Sequence, residues 1–261
     1  MVPNMFTPIA DRRLARARDL ARGLVRGLAA ATIAVAASLP LAAQEGAPVV
    51  VELYTSQGCS SCPDADAYFG ELVRQPGIIA LGFHVDYWNY IGWRDPYSSK
   101  KFTYRQKEYA MSFRQTGVYT PQIVIQGRRG EVGSDRKAVG RMIADARRLK
   151  PSATVLLEKL GGNRLRAVVT AAAEGKGAEV WLALIDRRQT TKIPRGENEG
   201  KTLVNHNVVR EWRKLGDVAE EKLELNLVAA GEKGEKRGGA VVIVQQPKAG
   251  AIIGAAIAYV E

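Results

Sequence analysis

Two textures of hydrophobic patterning follow one another along the chain after its first forty-odd residues. In the first, residues 49–54 are a continuous apolar run rich in β-branched side chains, broken by Ser56-Gln57-Gly58 and followed by a helix-like stretch over 59–74. A short apolar run bounded by turn residues predicts a buried strand, so the opening unit is strand, turn, helix. Residues 78–85 predict a second strand after the breaker Pro76-Gly77, and 99–115 a polar helix bearing aromatic residues. Residues 122–126 and 131–133 read as a hairpin about Gly127 and Gly130. A helix over 135–149 closes this half, with Asp135 as N-cap and Arg147-Arg148 suiting the negative end of its dipole.

Beyond Pro151 the pattern changes to short alternating strands over 154–160, 164–171, 179–186, 204–212, 222–228, 240–246 and 252–259. Turn signals such as Gly161-Gly162-Asn163, Gly175-Lys176-Gly177 and Gly238-Gly239 separate them. About seven strands with no helix between them predict an antiparallel sandwich. The expected architecture is therefore an α/β domain over 48–150, a mixed sheet flanked by helices, followed by an all-β sandwich-like domain over 152–261.

Residues 1–43 have a different character. Arg12, Arg13, Arg16, Arg18, Arg22 and Arg26 precede an uncharged Ala-rich run that ends at Leu41-Ala42-Ala43. This reads as a secretory signal peptide cut near Ala43, and it places the mature protein in the periplasm or outside the cell. The apolar run is shorter than the roughly 20 residues that span a bilayer, so no stable membrane insertion is expected after cleavage. The formal net charge of +11 owes much to this segment. What remains is scattered, as in Arg187-Arg188, and lacks the aromatic-interleaved groove of single-strand binders; no nucleic-acid partner is expected.

The chain has two cysteines, Cys59 and Cys62, at the start of the helix predicted after the first strand. In an exported chain this C-x-x-C spacing is a redox arrangement. The unsatisfied amides and positive dipole of a helix start favour a thiolate on the first cysteine, making Cys59 the nucleophile and Cys62 the buried resolver. A purely stabilising disulfide explains the pair poorly, because so short a loop removes only about 2 kcal/mol of chain entropy. A metal site would have to draw on His84 and His206, the only histidines, at unrelated spacings. No zinc site or other resident cofactor is expected; copper(I) on Cys59, Cys62 and His84 is the metal alternative.

Val51-Glu52-Leu53-Tyr54, Cys59-Ser60-Ser61-Cys62 and Val118-Tyr119-Thr120-Pro121, in that order, resemble the thioredoxin-like superfamily over 48–150. The resemblance implies that Pro121 is cis and faces the cysteines, with Thr120 offering backbone hydrogen bonds to an extended peptide; an X-Pro bond resists cis by only about 0.5–1 kcal/mol. Over the whole mature chain the closer resemblance is to the domain of unknown function 1223 family. It rests on Glu52 through Pro63, on Val85-Asp86-Tyr87-Trp88 and on Arg195-Gly196-Glu197-Asn198-Glu199-Gly200-Lys201-Thr202-Leu203. Ser60-Ser61 departs from the Gly-Pro usual in thioredoxins, and no Trp precedes Cys59. Glu52 stands about where many thioredoxins bury an acidic residue, so it is either a proton relay to Cys62 or a solvated edge-strand side chain.

Asp64 and Asp66 complement the helix dipole and repel a nearby thiolate. The aromatic run from Tyr87 and Trp88 to Trp93 and Tyr97 either caps the core or lines a recognition surface. The polar segment 195–201 is either a solvated hairpin tip or a lid on the redox face. Taken together, these residues predict a thiol–disulfide oxidoreductase acting on protein thiols or disulfides of the cell envelope. The alternative is a non-enzymatic protein that uses the same scaffold to hold a partner protein or copper(I).

Overall fold

The computed structural model describes residues 47–231 and 233–260, so the signal-peptide reading of 1–43 lies outside the described residues. β1 (Val49–Thr55) is followed by α1 (Pro63–Leu72), β2 (Ile78–His84), α2 (Lys100–Ser112), β3 (Gln122–Ile125), β4 (Arg129–Val132) and α3 (Arg136–Ala146). Then come β5 (Ala153–Gly161), β6 (Arg164–Ala171), β7 (Glu179–Lys192), β8 (Thr202–Asp217), β9 (Lys222–Val228), β10 (Gly239–Gln245) and β11 (Ile252–Tyr259). Local signals account for several boundaries. The Asp135 carboxylate accepts the Ala138 amide at 2.8 Å and starts α3, whose Val139, Met142 and Ile143 form a buried stripe at helical spacing. Ser99 caps α2 in the same way through the Lys101 amide.

The division into an α/β thioredoxin-like domain and a separate sandwich is overturned. Strands from both halves join one eight-stranded mixed sheet in the order β11-β10-β7-β8-β2-β1-β3-β4, and β5-β6-β9 make a second, three-stranded sheet. The seam is the parallel pairing of β2 with β8 at Gly82 and Val208. β7 and β8 run to 14 and 16 residues, longer than their alternation predicts, and β8 lies along β2 through a pairing inside its predicted core. An uncovered edge is a row of unpaired amides and carbonyls, so joining the halves removes a liability that two separate sheets would each carry. The sheet also curls until its β11 edge meets the end of β3, where the Ile252 amide donates to the Gln126 carbonyl at 2.9 Å.

Side-chain alternation along β1 separates two cores. Val49, Val51 and Leu53 pack with Phe69 and Leu72 of α1 and with Val139 and Ile143 of α3. Val50 and Tyr54 face the other way, into a cluster that contains Phe83, Tyr109, Val209, Trp212 and Ile243 from both halves of the chain. A third core lies between the two sheets, around Leu165, Leu182, Val242 and Leu227.

Glu52 shares the face of Val50 and Tyr54 and is fully buried. Arg105 of α2 donates to both its carboxylate oxygens, at 2.9 and 2.7 Å, and Tyr54 and Tyr109 donate their hydroxyls to it. The same guanidinium reaches Gln245 of β10 at 3.1 Å and lies 4.0 Å from the ring centroid of Trp212 on β8. Two buried charges persist here because each is paired bidentately and every neighbouring polar group is bonded. Glu52→Gln, which leaves the guanidinium buried without its counter-charge, is expected to destabilise the protein by about 3–5 kcal/mol in denaturant unfolding. A loss below about 1 kcal/mol would show the pair to be dispensable.

Candidate functional site

The helix after β1 begins at Pro63 rather than at Cys59. Proline has no amide to satisfy and its fixed φ suits the first helical position, so Cys62 becomes the N-cap and Cys59 sits in the preceding turn. The Cys59 amide donates to the Ser56 carbonyl at 3.1 Å, and the Cys62 amide to the Cys59 carbonyl at 3.3 Å. Cys59 and Cys62 are joined in a disulfide with their Cα atoms 5.5 Å apart. Cys59 is only 1% exposed and Cys62 fully buried, so the expected contrast between an accessible first sulfur and a covered second one is absent. The residues between them, Ser60 and Ser61, are the exposed part of the motif.

Three segments distant in sequence cover the sulfurs. The Thr120–Pro121 bond, leading into β3, is cis, and the Thr120 carbonyl lies 3.9 Å from Cys59 Sγ and accepts the Ser61 hydroxyl at 3.4 Å. The Trp88 indole donates to the Thr120 hydroxyl at 2.7 Å. A side chain on Gly58 would press against the Trp88 carbonyl and Cβ at 3.2 and 3.3 Å, so this loop lies closely against the motif. The loop between β7 and β8, residues 193–201, closes the third side. Asn198, itself buried, donates to the carbonyls of Gln57 and Cys59 at 3.0 and 2.9 Å, and Glu197 accepts the Ser60 amide.

Cys59, Cys62, Thr120, Pro121 and Trp88 are thus brought together. Tyr87 makes no direct contact with the sulfurs; its hydroxyl donates to Gln106 of α2 at 3.1 Å and lies beside the Thr120 side chain. Glu52 lies on the opposite face of β1 from α1, with its carboxylate committed to Arg105, so it does not stand among the groups around the sulfurs. His84 directs Nδ1 to Asp95 at 2.6 Å, and no group of three or more His, Cys, Asp or Glu side chains is arranged to hold a metal among the described residues.

Beneath the disulfide lies a polar cluster that the linear sequence does not announce. Asp95, from the loop after β2, accepts the Gln57 amide at 2.8 Å and the Tyr97 amide at 2.9 Å as well as His84. Burial raises the Asp95 pKa, but His84 and the two amides outweigh it and hold the carboxyl below its usual range. Burial disfavours a charged His84, yet Asp95 overrides it and raises its pKa. Asp66 of α1 accepts the Thr55 hydroxyl at 3.1 Å; burial pushes its pKa up to about 7, against the opposing pull of His84 and Thr55. Only the position of Asp66, four residues after Cys62, could have signalled this from sequence. Gln57 ties the cluster to the second half of the chain by donating to Thr191 of β7 and Asn205 of β8 at 3.1 and 3.0 Å.

An eight-stranded mixed sheet presenting a closed C-x-x-C disulfide at a helix N-cap defines the class: a two-cysteine protein with its sulfurs under a polar cap. The chain belongs to the family described as protein of unknown function (DUF1223), whose model matches residues 50–245. It is similar to a crystallised protein from Agrobacterium tumefaciens at 32% identity and a TM-score of 0.72, over 83% of this chain and 96% of that one. HBP35 of Porphyromonas gingivalis shares the fold at 13% identity and a TM-score of 0.57, over 82% of this chain and 76% of that one. No curated protein matches the sequence.

Two outcomes test this geometry. Asn198→Ala removes two hydrogen bonds that hold the cap on the motif, so reduction of the disulfide by dithiothreitol should accelerate severalfold while stability falls by about 1–3 kcal/mol. An unchanged reduction rate would mean that the cap does not limit access. Asp66 binds a proton more tightly in the folded than in the unfolded chain. The stability this supplies is present in full below about pH 4 and is lost as pH rises through about 7. Asp66→Asn should therefore gain about 2–3 kcal/mol relative to wild type between pH 5 and 8.5, at 1.36 kcal/mol per pKa unit. Parallel stability curves would show that Asp66 titrates normally.

Proposed function

We propose that the protein is an exported thiol–disulfide exchange protein that works through Cys59 and Cys62 on protein thiols or disulfides of the cell envelope. The observation that carries this reading is the closed C-x-x-C disulfide at the start of α1, held between the Thr120–Pro121 loop and the 193–201 cap. A disulfide of this span contributes little to stability, whereas two sulfurs one turn apart can pass through a mixed disulfide and resolve it without a third thiol. The arginine-rich, then apolar, segment at 1–43 supports export, and an oxidising compartment suits a disulfide that is the chain's only cysteine pair.

In this reading Cys59 is the sulfur attacked by a client thiolate and Cys62 is the leaving and resolving sulfur. The buried state of both requires the 193–201 loop to swing off the motif before a protein client can reach Cys59. Thr120 and Trp88, which flank the sulfurs, form the surface on which the client would lie; Tyr87, in the same loop as Trp88, ties that surface to Gln106 of α2.

Wild-type protein should catalyse oxidation or reduction of a model protein disulfide, and Cys59→Ser should abolish it. Cys62→Ser should accumulate mixed disulfides with envelope proteins, because attack proceeds and resolution cannot. A passive binder of a partner or of copper(I) would lose binding in both variants and trap neither. If wild type shows no exchange and Cys62→Ser captures no thiol partner, the binding reading replaces the enzymatic one.

A further inference from the structure

We infer that Asp66 is the proton donor to the Cys62 sulfur when the disulfide opens, with His84 and Asp95 as the positioning residues behind it. The chemistry rests on the exchange reading above, but the geometry stands independently. The Asp66 amide donates to the Cys62 carbonyl at 3.0 Å, and Cys62 already has helical φ and ψ, so the two residues are neighbours one turn apart on the same side of α1. Their Cβ atoms are then about 5–6 Å apart. Both side chains are buried, so a thiolate formed at Cys62 cannot draw its proton directly from bulk water.

Asp66 is the acid placed to meet that need. Glu52 has its carboxylate consumed by Arg105, Tyr54 and Tyr109 on the far face of β1. Around Asp66 stand Thr55 from β1, His84 from β2, Asp95 from the following loop and Asn205 from β8, with Arg210 of β8 acting on His84 from further away. His84 donates or shares a proton at Nδ1 with Asp95, while its Nε2 is buried without a hydrogen-bond partner among the described residues. An unpartnered ring nitrogen in the interior costs free energy in a purely structural role. It is explained if the site must accept and return a proton. Asp95 also holds the Gln57 amide, two residues before Cys59, so the cluster grips the motif on both sides of the disulfide.

The step balances with a dithiol reductant. Its thiolate attacks Cys59 Sγ, the Cys59–Cys62 bond breaks, and the electron pair leaves on Cys62 Sγ, which takes the Asp66 proton. Asp66 remains as a carboxylate held by the Thr55 hydroxyl and faced by His84. The second thiol of the reductant then loses its proton to solvent and closes on the first sulfur, releasing Cys59 as a thiolate. A proton from solvent restores Asp66, so one dithiol becomes a disulfide and one disulfide becomes a thiol and a thiolate. Burial keeps Asp66 protonated up to about pH 7, which is the range in which it can donate.

The test uses the full mature chain and dithiothreitol as the reductant, with the opening of Cys59–Cys62 followed by alkylation and mass spectrometry from pH 5.5 to 9. The ratio of wild-type to Asp66→Asn reduction rates cancels the ionisation of dithiothreitol itself. It should be about tenfold or more at pH 6 and fall to within twofold above pH 8.5. A ratio that does not change with pH overturns the assignment. If Asp66→Asn does not fold, ¹³C NMR of wild type reports the Asp66 carboxyl directly. Its titration midpoint should differ between the oxidised and reduced protein, and identical midpoints overturn the proposal. A wild type that shows the pH-dependent ratio yet exchanges with no protein disulfide would uphold the donor and remove the exchange reading; active exchange with a flat ratio would do the reverse.

Discussion

The buried ion pair of Glu52 and Arg105 is the interaction on which the rest of the structure depends. It joins β1 to α2, reaches β10 through Gln245, and lays the guanidinium on Trp212 of β8, so a single cation touches four elements from both halves of the chain. Separating the halves would return neither charge to water without also opening the aromatic cluster around Phe83, Tyr109 and Trp212. That coupling is why the protein is built as one continuous sheet and not as two domains on a linker. It also accounts for the fate of Glu52, whose carboxylate is occupied by an architectural task.

The site inherits its form from that union. The cysteine turn comes from the first half, but the groups that seal it, Asn198 and Glu197, and those that anchor Gln57, Thr191 and Asn205, come from β7, β8 and the loop joining them. Extending β7 and β8 past the point where their alternation ends carries this loop over the disulfide. The loop closes on itself through the Gly200 amide to the Ile193 carbonyl, and Gly196, at φ +88°, allows it to pass within van der Waals reach of the Trp93 and Ile91 backbone. A second half folded as a separate sandwich would lack the hydrogen bonds of Asn198 and Glu197 to the cysteine turn.

The polar cluster under the motif has the opposite electrostatic logic to the Glu52 pair. There, two full charges are satisfied by each other and by every neighbour. Here Asp95 is satisfied by amides and His84, whereas Asp66 and the outer nitrogen of His84 are left with fewer partners; burial raises the proton affinity of Asp66, and Asp95 raises that of His84. Buried groups that are fully bonded confer rigidity; buried groups left able to exchange a proton confer chemistry. The two networks lie on opposite faces of the same strand, one for each role.

Local structure was legible in the sequence because its causes are local. The apolar run of β1, the Asp135 cap, the glycines of the hairpin and the alternation of the later strands each act within a few residues, and the C-x-x-C spacing by itself brings two sulfurs into bonding range. What alternation records is which face of a strand is buried. It carries no information about which strand will fill a neighbouring edge, and so the pairing of Gly82 with Val208 was decided only in three dimensions. The same limit applies to charge: the sequence shows that Asp66, His84 and Asp95 can titrate, but only their depth and partners determine that Asp95 is held below its usual range and Asp66 above it. Sequence alone determined the elements and the cysteine pair of this protein; tertiary structure decided how its halves join, what covers the sulfurs and where the buried carboxyls near them lie, because edge pairing and desolvation are properties of the assembled interior.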